Sequence, residues 1–234
     1  MAINNTSRTL RVLSHLLAYP DAALRSHLPD LRQALQDDGV LRASRMSEIN
    51  RLVESMQAAP GLDTEAAYVE IFDRGRGTSL HLFEHVHGDS RDRGPAMIDL
   101  GKTYENAGLY LALGELPDYL PTLLEFASTQ PPREARDFLG EMTHILKALF
   151  SALLIRKSAY ASVVGALIEV AGGTAEAVDI APEVPIDESW AEPAVFGGCS
   201  TEGQSRPGNA GQAQPVQFVK NLKRIPMQHK EVSA

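Results

Sequence analysis

The chain has 234 residues, 44% of them hydrophobic, a formal net charge of −8 at pH 7 and one cysteine, Cys199. That length can bury a real core as one large or two small domains. The negative balance excludes non-specific nucleic-acid binding and bulk attraction to anionic membrane, and one cysteine excludes an intramolecular disulfide. The opening "MAINNTSRTLRVL" lacks the basic flank and apolar stretch of a signal peptide. The most apolar run, "ILKALFSALLI" (145–155), is short of a membrane span and carries Lys147, so a soluble cytoplasmic protein without membrane insertion is expected.

Apolar spacing predicts helices almost throughout. Leu10, Leu13 and Leu17 share a face of a first helix that Ser7 would cap and Pro20 would stop. Leu24, Leu28, Leu31 and Leu35 mark a second segment, which Pro29 should split or kink. Met46, Ile49, Val53 and Met56 mark a third, closed by "PG" at 60–61. The middle reads as shorter helices jointed by glycine. Tyr68, Ile71 and Phe72 lie on one that ends at "DRGRG" (73–77). Thr78 or Ser79 would cap the next, whose apolar face is Leu82, Phe83 and Val86 and whose end is Gly88. A second "DRG" (92–94) precedes a helix through Met97, Leu100 and Tyr104, and "GELPDYLPTLLEF" (114–126) turns on Pro117 before resuming helix. Phe138, Met142, Ile145, Leu149 and Leu153 form one long stripe, and Tyr160, Val163, Leu167 and Val170 another, which suggests two antiparallel helices packed on the earlier ones.

Beyond Gly172 the composition changes: 13 of the last 63 residues are Pro or Gly, and no Lys or Arg falls between Lys157 and Arg206. The expected organisation is an all-α, single-domain helical bundle over 1–171 and a flexible, acidic, Pro/Gly-rich tail over 172–234. Trp190 and Phe196 are apolar anchors that would let the tail dock back, and "PVQFVKNLKRI" (215–225) is the one strand-like stretch.

Chemistry concentrates in "HLFEHVHGDSRDRG" (81–94). His81-Leu82-Phe83-Glu84-His85 spells H-x-x-E-H, in which two histidines one helical turn apart hold zinc and the glutamate activates water. A zinc-dependent hydrolase is therefore the enzymatic alternative, although no second motif names a third ligand. "GRGTS" (75–79) is a glycine-rich turn into a helix start, without the lysine or spacing of a phosphate loop. Cys199 sits in "GGCSTEGQSRPG" with no base nearby in sequence. The run Asp89 to Arg93 suits either a solvated, salt-bridged tie between helices or a partner-facing loop.

"YVEIFDRGRGTSLHLFEHVHGDSRDRG" (68–94), "LPDYLPTLLEF" (116–126) and "LLAYPDAAL" (16–24) together resemble the assembly chaperones of respiratory nitrate reductase, the NarJ-type or delta-subunit family, over roughly residues 8–171. The resemblance implies an all-α cytoplasmic protein that is not an enzyme. It would bind the N-terminal segment of the catalytic subunit and keep it competent for insertion of molybdopterin guanine dinucleotide, and for iron–sulfur loading, before membrane attachment. No cofactor would be held permanently, and "GRGTS" and the "RDRG" arginines would touch the dinucleotide only transiently.

The family's central motif falls on Phe72, Arg76, Leu82, Phe83, Glu84, His85, His87, Arg91 and Arg93, and does not include a histidine at the place of His81, so H-x-x-E-H looks accidental beside it. A glutamate–proline–aspartate–histidine element of the broader family is matched by "ELPDY" (115–119), with Glu115 and Asp118 in place and Tyr119 where histidine would stand. The expected client site is a groove lined by Leu82, Phe83, Met97, Tyr104 and Leu120 that takes an amphipathic peptide helix. Glu84, Glu115 and Asp118 at its rim would favour a basic segment, and His85 and His87 there would make binding pH-sensitive.

Overall fold

The helical spacing of the sequence is realised in ten helices among the described residues. The computed structural model describes residues 6–180 except Asp89, so Trp190, Phe196, Cys199 and the 215–225 stretch lie outside the described residues. In chain order the helices are α1 Thr6–Leu17, α2 Ala22–Asp38, α3 Ala43–Ala58, α4 Gly61–Phe72, α5 Leu82–His87, α6 Arg93–Asn106, α7 Leu120–Thr129, α8 Pro132–Glu141, α9 Thr143–Ile155 and α10 Ala161–Val170. A single 3₁₀ turn at Arg76–Thr78 precedes α5. No single helix among these is long and apolar enough to cross a membrane.

α1 is the central element. Leu10, Leu13, Leu16 and Leu17 are fully buried, and the helix packs most extensively on α7, then on α2 and α10. Each such leucine taken wholly out of water is worth about 1.5–3 kcal/mol. Polar ties fix the contacts: Ser14 Oγ donates to the Pro121 carbonyl at the start of α7 (2.8 Å), and Tyr68 Oη donates to the Leu17 carbonyl (2.8 Å). Ser7 does not cap α1; it lies inside the helix and its hydroxyl donates to the Ser128 carbonyl on α7.

α2 runs unbroken through Pro29 between an Asp21 cap, whose carboxylate accepts from Leu24 N–H (2.7 Å), and Gly39 at φ 61°. Buried Leu28 and Leu35 hold the helix to the core on either side of the proline, so packing outweighs the lost backbone bond. The long stripe at 138–153 is two helices rather than one, because α8 and α9 meet at a 66° bend. Met142, at φ −95° and ψ 2°, turns the chain there and lets Leu139 and Leu146 both be fully buried. α9 and α10 then pack on each other through Leu149, Leu153, Val164 and Leu167, all fully buried. Residues 173–180 have no regular structure, but Val178 N–H donates to Ser151 Oγ (2.8 Å) and Ala175 packs on the core.

Candidate functional site

The short helix α5 has no cap of its own: His81, at its N-cap position, makes no capping side-chain bond. Thr78 Oγ1 turns back to the Ile71 carbonyl, and Ser79 Oγ accepts from His81 N–H (3.2 Å). The missing acceptor comes from Asp118, 35 residues further on, whose Oδ2 accepts from Phe83 N–H (3.2 Å). A two-bond ladder brings it there. Leu82 N–H donates to the Asp118 carbonyl (3.0 Å) and Leu120 N–H to the Leu80 carbonyl (2.8 Å), making His81 and Tyr119 partners in an isolated antiparallel bridge.

Asp118 is 0% exposed, and a buried carboxyl group is costly unless hydrogen-bonding partners surround it. It has three. Besides Phe83 N–H, His81 Nδ1 lies 3.3 Å from Oδ1, and Arg93 from α6 reaches Oδ2 at 3.5 Å while also lying 3.4 Å from Glu84. The bond to Asp118 holds the His81 pKa above its ordinary value; burial opposes this, and the negative charge of Asp118 and Glu84 reinforces it. The His81 ring rests on that of Tyr119 at 5.2 Å, and Tyr119 Oη meets Tyr68 Oη at 3.3 Å. Burial pushes the Tyr119, Tyr68 and Tyr104 phenols up, so all three stay neutral and serve as hydrogen-bonding struts.

The expected client-binding residues therefore divide. Glu84, Phe83, Arg93, Asp118 and Tyr119 converge on one polar knot, and His81 belongs with them. Phe72, Leu82 and Leu120 are buried in the core; Tyr104 is buried as well, yet it lines a cavity between α1, α7 and the loop that follows α6. Phe72 stacks on Tyr68 and Tyr160, while Tyr104 Oη donates to the Pro117 carbonyl (2.7 Å). His85 Nε2 bonds the Ser79 carbonyl (2.8 Å), and half-buried His87 stands edge-on to Phe83. Met97 is half-buried; Arg76, Arg91 and Glu115 are exposed, with the Glu115 carboxylate accepting from Ala112 N–H (3.2 Å).

The H-x-x-E-H pattern makes no metal site. His81 is extended (φ −86°, ψ 100°) and precedes α5, so helical spacing does not put it on one face with His85. His81 Nδ1 is turned to Asp118 and His85 Nε2 to a carbonyl, and among the described residues no three His, Cys, Asp or Glu side chains are placed to hold an ion. His81 is nonetheless part of the knot, for a reason the five-residue pattern does not contain: its partner is carried in by the 115–119 turn.

Comparison with known proteins places the same segment inside a family. The family model described as "Nitrate reductase delta subunit" matches residues 18–161. The chain is 40% identical over 175 residues to "Nitrate reductase molybdenum cofactor assembly chaperone NarJ" of Escherichia coli (strain K12), covering 75% of this chain and 74% of that protein. It is 37% identical over 179 residues to "Probable nitrate reductase molybdenum cofactor assembly chaperone NarW" of the same strain, covering 76% and 74%. It is 32% identical over 171 residues to "Probable nitrate reductase molybdenum cofactor assembly chaperone NarJ" of Bacillus subtilis (strain 168), covering 71% and 90%.

Proposed function

This chain belongs to the nitrate reductase delta subunit family, and we propose that it is an assembly chaperone of nitrate reductase rather than an enzyme. The observation that carries this reading is the 40% identity over three quarters of both chains to a protein named for molybdenum cofactor assembly. In the finer form of the proposal it works in the cytoplasm, binds the N-terminal segment of the catalytic subunit, and holds that subunit ready for molybdopterin guanine dinucleotide and iron–sulfur clusters before membrane attachment.

The geometry supports a binding role. The densest cluster of ionisable groups is saturated by its own members: Asp118 accepts from a backbone N–H and lies against an imidazole and a guanidinium, so it is not poised as a free acid or base. What the knot does is rivet α5, α6 and the 115–119 turn together. Arg93 is engaged in that task, and exposed Arg91 is the group suited to a passing contact with the phosphates of the dinucleotide.

The test is complementation. In a strain deleted for its own nitrate reductase chaperone, the chain should restore molybdenum content of the catalytic subunit and nitrate reduction. Subunit that accumulates at normal levels without molybdenum would overturn the reading.

A further inference from the structure

We infer that the client segment docks on the face where the 107–116 loop overhangs α1 and α7, away from the Asp118 knot. This rests on the chaperone reading above and names the surface and the chemistry of its occupant: a basic, amphipathic helix.

Three observations meet there. The loop carries two of the most exposed large apolar side chains among the described residues, Tyr110 at 81% and Leu113 at 107%, with Leu116 also exposed. A cavity of about 310 Å³ opens beneath, its apolar wall formed by Tyr104, Leu109, Tyr110, Leu111 and Phe126. That floor is stiff, because Tyr104 and Phe126 stack at 4.7 Å and Phe126 meets Phe138 at 5.1 Å. The loop turns on glycine at both ends: Gly108 at φ 80° and Gly114 at φ 91° bracket Tyr110 and Leu113, and no side chain packs against either. A solvated apolar tip over an aromatic-floored cavity marks a surface that awaits a partner.

Charge selects that partner. No lysine or arginine occurs from residue 103 to 132, a stretch that contributes exposed Glu105, Glu115 and Glu125. Arg11 and His15 of α1 face the cavity, and Arg11 is engaged with Ser128 Oγ (3.3 Å). Carboxylates thus outnumber guanidinium groups around the mouth, which favours a basic segment. A helix fits better than a strand, because no sheet edge exists among the described residues for an extended peptide to join. Its apolar side chains at i, i+3 or i+4 and i+7 would enter under Tyr110 and Leu113 while its lysines or arginines face Glu115 and Glu125.

The experiment uses the full chain and a fluorescein-labelled synthetic peptide, the first fifteen or so residues of the catalytic subunit from the same genome (~22 Å as a helix), read by anisotropy. Tyr110→Ser/Leu113→Ser should weaken binding at least tenfold with unchanged thermal unfolding, since both side chains are exposed. Glu125→Lys should weaken it most at low salt, and a peptide with its basic residues replaced by glutamate should recover on that variant. Leu62→Ser, which removes an exposed leucine from α4, should bind as the unaltered chain does. Binding of Tyr110→Ser/Leu113→Ser within twofold of the unaltered chain overturns the inference. So does loss of self-association in that variant, by sedimentation velocity, with peptide binding intact; the loop would then be a contact between copies. If the unaltered chain binds no peptide yet restores molybdenum loading in the deletion strain, the docking surface is wrong and the chaperone reading stands. Failure of both removes the reading on which the surface rests.

Discussion

Replacing Asp118 by alanine removes the acceptor that starts α5 and the anion beside Arg93 and His81. The lost cap is worth about 0.5–2 kcal/mol. Hydrogen bonds to charged groups are worth about 1.5–3 kcal/mol, but His81 is 33% and Arg93 27% exposed, so water and Glu84 replace part of that. The net expectation is a loss of about 3 kcal/mol, which in a chain of this size lowers Tm by roughly 6–12 °C. Asp118→Asn keeps an acceptor for Phe83 N–H and removes the charge, so it should cost about half as much. pH dependence separates the two contributions. The His81 pKa is raised in the folded state, so the stabilisation it brings is full below its unfolded value, near 6.5, and is lost as pH rises through the folded value. Urea titrations of the parent at pH 5.5 and 8 should show this extra stability at the lower pH, and Asp118→Asn should lose that part of the difference. A cost below about 1 kcal/mol for Asp118→Ala, or a pH profile unchanged in Asp118→Asn, would refute the view that a buried carboxylate holds these elements together.

Pro29→Ala should stabilise the chain by about 1–2 kcal/mol in urea unfolding: an exposed interior helical position regains a backbone donor, partly offset by a freer unfolded chain. Gly88→Ala should destabilise by about 1–3 kcal/mol in urea unfolding, because φ 52° and ψ −125° lie outside the wells open to residues with a Cβ, which would also stand 3.0 Å from the Arg76 guanidinium, and Gly88→Asn should recover none of it. Protein purified without chelator should carry far less than one zinc per chain by plasma emission analysis, and stoichiometric zinc abolished by His85→Ala would overturn the hydrogen-bonded assignment of His81 and His85.

Local information sufficed wherever one segment's own spacing settles its structure. The leucines of α1 recur on one face whatever they pack against, and Gly39 and Gly88 stop α2 and α5 by backbone conformation. The resemblance of 68–94 and 116–126 likewise pointed to the right family before any fold was known. Contacts between segments far apart in sequence were beyond such reading. Nothing near Leu82 shows that its helix is capped by Asp118, and nothing in the stripe 138–153 shows a bend at Met142. Leu82 and Leu120 read as lining for a groove because apolar residues in a motif look alike whether they face a ligand or a core. Only packing buries them and leaves Tyr110 and Leu113 in water. Helical periodicity is a property of a few consecutive residues, whereas burial and the pairing of charges depend on which distant segments the core brings within a few ångströms.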